Sequence, residues 1–226
     1  MLGVCGGGWR GKRRGSEKVR AVAVYSLDEY VSSFGSEILD FTIAHYSCPL
    51  NEHVEDFLKN KAIQSFVLGA SVTYLVIDKE TDDLLGYFTL LLKPFKVPSV
   101  GLSSRNTRLI SRFAELDEDG KSYTAALYLI AQLGKNFAMS EDSRISGAEL
   151  MEYAMQKLQS ARRFVGGKLV LVDREIDRPK LLKFYQQFNF RSWNVRHSKK
   201  DGIDYDQMLC VLNAPASGQA ACVAAA

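Results

Sequence analysis

The chain contains 226 residues, of which 46% are hydrophobic and 24% charged, and its formal net charge is only +3. This size and composition support one globular domain with a substantial core, and so weak a net charge does not by itself indicate a nucleic-acid-binding protein. No apolar run reaches the ~18 residues of a membrane span, and the first residues lack the apolar segment of a secretory signal, so we expect no membrane partner.

The cysteines and histidines show neither a disulfide framework nor a metal-binding pattern. The four cysteines form no CxxC pair, and two of them, Cys5 and Cys222, lie near the chain ends. His45 and His53 are separated by Pro49, so they do not share one helix face. The sequence therefore predicts no metal ion, and the lack of a disulfide framework makes the cytoplasm the expected compartment.

The two ends of the chain differ from its middle in composition. Residues 1–20 are rich in Gly and Arg, which predicts a disordered basic arm, and residues 213–226 are small and featureless, which predicts a disordered tail. The basic residues of the arm are Arg10, Lys12, Arg13, Arg14, Lys18 and Arg20, against one acid, Glu17. The arm is either a contact for RNA or an acidic partner, or a solvated extension. The fold is expected in residues 21–212, as a single domain.

In the first part of this domain, the sequence predicts short helices around one strand. Residues 27–35 predict a helix with Ser26 as its N-cap. Residues 41–48 alternate apolar and polar side chains, which predicts a strand. Asn51 is the candidate N-cap of an amphipathic helix over residues 52–69.

The middle of the domain predicts a hairpin followed by a long connection. Residues 72–78 and 84–92 predict its two strands, and the second is apolar on both faces, as expected for a central strand. Residues 93–121 contain two prolines, a basic run and an acidic patch, with a short helix predicted over 106–113. So long a connection is either a lid that faces the substrate or a variable surface excursion, and the residues do not decide between the two.

The remaining stretch predicts strand, loop, helix, strand and helix, followed by a final hairpin. Residues 123–136 predict a strand, of which 123–133 is the most β-like run of the chain, and an amphipathic helix begins after it at Arg144 or Ser146. A buried strand over 168–172 and a helix over 178–190 follow. Two parallel strands, each followed by a helix, build a crevice at the strand tips, where free N–H groups of helix N-termini favour a phosphate.

These features resemble the GCN5-related N-acetyltransferase superfamily, which transfers an acetyl group from acetyl-CoA to an amine. The resemblance covers most of residues 41–212. It rests on the order of elements, on DSRISGAEL at the place of the pyrophosphate loop Q/R-x-x-G-x-G/A, and on PKLLKFYQQFNF, which is similar to the late helix ending F-Y-x-x-x-G-F. The runs YLIAQLGKN and RISGAELM are also similar to a prokaryotic branch near the acetyltransferase toxins of toxin-antitoxin systems.

The resemblance implies a fold, a co-substrate and a set of contacts. The fold is α/β (α+β), with a mixed, mostly antiparallel central sheet, helices on both faces and a splayed parallel strand pair. The co-substrate is acetyl-CoA, and no metal is implied. The coenzyme-binding residues that follow are Ile130, Ala131, Gln132 and Leu133 on the first parallel strand, and Arg144, Ile145, Ser146, Gly147 and Ala148 in the phosphate loop.

The phosphate loop departs from the family pattern. If Gly147 is the last glycine of the motif, Ile145 stands at the first glycine position and Asp142 at the Q/R position. A carboxylate facing pyrophosphate is unfavourable, but Arg144 is near enough to compensate. These departures imply an altered affinity for the coenzyme.

Tyr185 matches the tyrosine of the family's F-Y pair and is our candidate general acid. A phenol with an ordinary pKa of about 10 stays protonated at neutral pH and can give its proton to the departing thiolate. Judged without the resemblance, Tyr185 is a helix tyrosine that packs in the core. Residues 123–133 contain no acid, so no general base is nominated.

The acceptor amine is left open by the sequence. A protein amine, a small amine and the α-amino group of an aminoacyl-tRNA all fit, and a homodimer is a further expectation of the resemblance. The basic residues Arg105, Arg108, Arg112, Arg162 and Arg163 favour tRNA, whereas the modest net charge does not. The alternative to an enzyme is a non-catalytic domain that binds acyl-CoA or a protein partner, which the altered phosphate loop favours.

Overall fold

A mixed eight-stranded sheet forms the centre of the molecule in the computed structural model, which describes residues 20–100, 102–199 and 202–212. The strands are β1 (Val22–Ser26), β2 (Val72–Asp78), β3 (Leu84–Pro98), β4 (Glu115–Leu116), β5 (Ser122–Lys135), β6 (Leu169–Glu175), β7 (Arg191–His197) and β8 (Asp204–Val211). Their order is β1-β2-β3-β5-β6-β8-β7, with β4 paired to β5. Among these described strands, only β5 and β6 pair in parallel.

Helices cover both faces of this sheet. They are α1 (Leu27–Phe34), α2 (Ser36–Ala44), α3 (Glu52–Asn60), α4 (Ala62–Val67), α5 (Ser104–Ile110), α6 (Gly147–Val165) and α7 (Pro179–Gln187). On one face, Leu150 and Met151 of α6 pack in a core with Val76 of β2. On the other face, helices α1 to α4 pack against Leu75 and Ile77, because successive strand residues point to opposite faces. The sheet with two helical layers confirms the predicted fold class.

Local capping signals place several helix starts where the sequence predicted them. The Ser26 side chain accepts from the Glu29 amide, and the Glu29 carboxylate accepts from the Ser26 amide. The Asn51 side chain likewise accepts from two amides at the start of α3. The expected helix over 52–69 divides at Lys61, where φ is −129°, into α3 and α4.

The strand predicted over residues 41–48 is wrong. Residues 41–44 belong to α2, and a turn follows. Leu39 and Ile43, four residues apart, are both buried under the sheet, and the Thr42 hydroxyl donates to the Ile38 carbonyl. Burial at helical spacing therefore outweighs a short apolar alternation.

The second strand of the central hairpin is longer than predicted, whereas the first has the predicted bounds, Val72–Asp78. β3 continues to Pro98 and pairs with β5 from Gly86 opposite Lys135 down to Pro98 opposite Ser122. The extended ends form a third core with Ile110 of α5 and Trp193 of β7. The predicted disorder of residues 1–19 and 213–226 lies outside the described residues.

Candidate functional site

The two parallel strands separate after a short contact. They pair only at Tyr128 opposite Val170 and Leu129 opposite Leu171. Beyond this point β5 follows β3, and β6 follows β8. Ala131 is an extra residue in β5, since its neighbours Ile130 and Gln132 pair with consecutive residues of β3. Such a bulge bends a strand, so the splay implied by the resemblance is present and has a local cause.

A cavity of about 1060 Å³ lies at this splay. Its volume is at the upper end of the range of small-molecule sites. Its wall on the α2–α3 side includes Cys48, Leu50, Asn51, His53, Val54, Phe57 and Lys61. The rest of the lining includes residues 130–135 of β5, Gly147 and Leu150 of α6, Asp173 and Glu175 of β6, Arg178 and Tyr185 at α7, and Arg196 and Tyr205 of the last hairpin.

The predicted site residues divide into two groups. The cavity is lined by Ile130, Ala131, Gln132, Leu133, Gly147 and Tyr185, whereas Arg144, Ile145, Ser146 and Ala148 are not part of the lining. Ile145 is 2% exposed and packs in the core beneath α6. The described residues of the 93–121 connection are also absent from the lining, which speaks against its interpretation as a lid.

The N-terminus of α6 is closed by a capping box. The Ser146 amide donates to the Glu149 carboxylate over 2.9 Å, and the Glu149 amide donates to the Ser146 hydroxyl over 3.1 Å. These hydrogen bonds from Ser146 hold the pKa of Glu149 below its ordinary value. Within the described part of the chain, the Gly147 and Ala148 amides have no acceptor, so they are the groups that an anion would meet.

Arg144 braces the loop instead of facing an anion. Its guanidinium donates to the carbonyls of Met139 and Phe137 over 2.9 and 3.3 Å and lies 5.1 Å from the centre of the Phe137 ring. Asp142 lies on the exposed turn Glu141–Ser143. Arg144 can therefore compensate for the negative charge of Asp142 beside a pyrophosphate only if this loop rearranges.

Asn136 anchors the loop at its other end, which the sequence did not predict. Its amide nitrogen donates to the Leu84 carbonyl over 2.8 Å, and its amide oxygen accepts from the backbone of Ser47 and Ala138. The side chain is 4% exposed. It thus joins the end of β5 to the turn between α2 and α3. An isolated asparagine after a strand carries no signal of such contacts.

Tyr185 reaches the cavity from α7. Its ring packs edge-on against Phe184 and Phe190, with centroid distances of 5.2 and 5.9 Å. Burial raises the pKa of the Tyr185 phenol to about 12, while the positive charge of Arg174 opposes this rise and the negative charge of Asp173 adds to it. The hydroxyl has no hydrogen-bond partner among the described residues. The arrangement fits a neutral proton donor.

A buried ion pair supports the loop between β6 and α7. Arg174, 6% exposed, donates to the Asp206 carboxylate over 2.8 Å and also to the carbonyls of Glu175, Ile176 and Arg178. The Ser192 hydroxyl donates to the same Asp206 oxygen over 2.8 Å. One guanidinium therefore fixes the segment that leads to Tyr185. Its ionic partner Asp206 lies on another strand and is distant in sequence, so no local pattern predicted the pair.

Arg178 connects the two sides of the cavity. Its guanidinium contacts the Glu175 carboxylate at 2.6 Å and donates to the Leu50 carbonyl over 3.0 Å. Leu50 belongs to the turn between α2 and α3, on the opposite face of the sheet from α7. Arg178 was not among the site residues predicted from the sequence.

Two further observations concern what the described residues 20–100, 102–199 and 202–212 can bind. No three side chains of His, Cys, Asp or Glu among them are grouped to hold a metal ion. None of the helices there has the length and apolarity needed to cross a membrane.

Comparisons with known proteins identify the fold. No protein-family model and no curated protein matches the chain. Among solved structures, a tyrosine-to-phenylalanine mutant of KacT has a TM-score of 0.58 at 16% identity, covering 84% of this chain and 94% of the KacT chain. The AtaT toxin complexed with acetyl-methionyl-tRNAfMet has a TM-score of 0.55 at 16% identity, covering 82% and 94%. AtaTR bound with AcCoA has a TM-score of 0.51 at 15% identity, covering 84% and 92%.

At such low identities these similarities describe the backbone arrangement. They extend over most of both chains, and the parallel pair, the bulged β5 and the helices that follow both parallel strands are all present here. The chain therefore has the fold of the GCN5-related N-acetyltransferases, as its sequence resemblance implied.

Proposed function

We propose that this protein is an N-acetyltransferase that moves an acetyl group from acetyl-CoA to a primary amine. The observation that carries the proposal is the convergence of three features in one cavity: the splay of β5 and β6, the N-terminus of α6 and the Tyr185 side chain. The fold is shared with AtaTR, whose structure was determined with AcCoA bound.

Acetyl-CoA supplies an activated thioester, which an amine attacks without a protein nucleophile. In the proposal, backbone groups of residues 130–133 hold the pantetheine arm, and the Gly147 and Ala148 amides receive the pyrophosphate. Tyr185 donates its proton to the leaving sulfur; burial raises the pKa of this phenol to about 12, so the phenol is protonated at neutral pH.

We propose the α-amino group of an aminoacyl-tRNA as the acceptor. The support is the complex of AtaT with acetyl-methionyl-tRNAfMet and the position of the basic residues. Arg112 and Lys168 flank the Phe113 ring, with their cationic groups 5.8 and 5.9 Å from its centroid, and Arg162 donates to the Leu212 carbonyl beside the start of β6. These groups lie at the end of β6 opposite the cavity, about 20 Å away at a rise of about 3.3 Å per residue. They would therefore contact RNA remote from the reacting amine.

Calorimetry with acetyl-CoA, followed by a thiol-release assay, tests the proposal. The acceptors offered are bulk aminoacyl-tRNA, a lysine-containing peptide and a polyamine. We expect saturable coenzyme binding and thiol release that depends on aminoacyl-tRNA. Release with the peptide or the polyamine alone would replace the acceptor assignment, and no release with any acceptor would overturn the enzymatic function.

The second candidate is a non-catalytic domain that binds acyl-CoA or a protein partner. Two features favour it: the Glu149 carboxylate accepts from the Ser146 amide at the α6 N-terminus, and Asp142 stands at the Q/R position of the family motif that the loop resembles. Both features weaken an anion site. Coenzyme binding without turnover would support this alternative.

A further inference from the structure

Asp173 is the first β6 residue beyond the parallel pairing whose side chain points away from α6 and α7. Val170 and Val172 pack in the core beneath α6, whereas Leu169 and Leu171 pack in the core on the other face. Since side chains alternate along a strand, Asp173 shares the face of Leu171, the last residue paired with β5. Asp173 and Tyr185 thus line the same cavity from opposite faces of the sheet.

Neighbouring strands hold the Asp173 carboxylate in one orientation. One of its oxygens accepts from the Gln207 amide over 3.1 Å, and the other accepts from the Arg196 guanidinium over 2.9 Å. Gln207 is 4% exposed and accepts in turn from the Asn194 amide over 3.3 Å. The Arg196 guanidinium lies 4.8 Å from the centre of the Tyr205 ring. Two positioned donors, one of them a guanidinium stacked on an aromatic ring, leave the carboxylate little freedom.

This carboxylate still has room for a substrate. A carboxylate offers about four lone-pair positions, and Gln207 and Arg196 take one on each oxygen. The remaining lone-pair positions can accept hydrogen bonds from the N–H groups of an amine that enters the cavity from the face of the sheet on which Asp173 lies. The charge of Asp173 also reaches Tyr185, whose pKa it helps to raise.

We propose that Asp173 is a second catalytic residue, which binds the acceptor amine and takes its proton during acetyl transfer. The inference rests on the proposed acetyltransferase function and extends it to the acceptor side. The amine nitrogen bonds to the acetyl carbon as the carbon–sulfur bond breaks. The Tyr185 proton passes to the sulfur, and a proton of the nitrogen passes to Asp173. Solvent then takes the proton from Asp173 and restores the phenol of Tyr185.

The charge-removing variant Asp173→Asn tests this role. We expect kcat/KM for the acceptor to fall by about 10² to 10⁴, the usual contribution of a general acid or base, while the Kd for acetyl-CoA stays within about twofold. Asp173→Glu keeps the charge but moves it, and we expect a loss of about tenfold or more. The acceptors are the bulk aminoacyl-tRNA, peptide and polyamine named above.

The matched control is Asp204→Asn. The Asp204 carboxylate also has a side-chain partner, the His197 ring nitrogen at 2.7 Å, but it lies outside the cavity. We expect this variant to behave as wild type. If Asp173→Asn keeps kcat/KM within about threefold of wild type, or loses coenzyme affinity in parallel with turnover, the catalytic role is overturned. A wild-type protein that acetylates none of the acceptors would instead overturn the proposed function itself.

Discussion

At the scale of single residues, the hydroxyl of Tyr185 is the group whose removal separates binding from chemistry. Tyr185→Phe keeps the ring contacts with Phe184 and Phe190 but removes the proton donor. We expect thiol release to fall by about 10² or more and the calorimetric Kd for acetyl-CoA to stay unchanged. Equal turnover of the variant and the wild type would show that the thiolate leaves without this acid.

The pH dependence of the rate gives an independent check on Tyr185. A general acid acts in its protonated form, so its contribution disappears as the pH rises through its pKa, here about 12. We therefore expect kcat, measured between about pH 6 and pH 10, to show no descending limb from this phenol. A descending limb near pH 8 that is absent in Tyr185→Phe would contradict the raised pKa.

Glu149 is a second residue whose substitution tests one property of the site, here the affinity for acetyl-CoA. Its carboxylate caps α6 but places a negative charge beside the Gly147 and Ala148 amides. Glu149→Gln keeps a capping-box side chain and removes the charge, so we expect acetyl-CoA to bind several-fold more tightly at low salt. Calorimetry at two salt concentrations measures this. Glu152→Gln, one turn further along α6, is the control, and an equal gain there would assign the effect to net charge.

At the scale of elements, two glycines are expected to serve different purposes: Gly134 allows close packing, and Gly147 allows a ligand to approach. A Cβ on Gly134 of β5 would collide with the Tyr46 hydroxyl and the Val54 side chain, whereas one on Gly147 of α6 would meet the Phe184 ring at 3.4 Å, an ordinary contact. We expect Gly134→Ala to lower the free energy of unfolding by about 1–3 kcal/mol. Gly147→Ala should keep the stability and weaken coenzyme binding. Denaturant unfolding and calorimetry measure both, and a stable Gly134→Ala protein would contradict the packing argument.

The sequence predicted some elements and not others, because only some of them are determined by local contacts. Ser26, Asn51 and Ser146 cap helices through contacts within three residues, so their effect is visible in the local sequence. The alternation over residues 41–48 was misleading because burial of α2 depends on the sheet beneath it. The cavity lining was predictable only along β5, at Gly147 and at Tyr185, where the motif itself supplies the residues.

The supporting contacts of the site were beyond such prediction for a physical reason. Arg174 and Asp206 are brought together by the pairing of β6 with β8, and the Asp173 contacts with Gln207 and Arg196 arise from the same region of the sheet, where β7 pairs with β8. Strand order is a property of the whole sheet. Predicting one element at a time identifies the strands that carry these residues, but it does not show which strands are neighbours. The contacts between the residues therefore could not be predicted.

At the scale of the whole molecule, Arg178 joins the helical layers on the two faces of the sheet through the Leu50 carbonyl. Its side chain is 41% exposed, so the contact adds little to stability, about 0–1 kcal/mol. Its removal should instead loosen the turn between α2 and α3. In Arg178→Ala we expect faster amide hydrogen exchange in residues 46–51 and an unchanged exchange in α6. Arg178→Lys, which cannot contact Glu175 and Leu50 with the same planar fork, should exchange like the alanine variant. Protection of residues 46–51 equal to wild type in both variants would show that Asn136, which accepts from the Ser47 amide over 3.1 Å, holds this turn without Arg178.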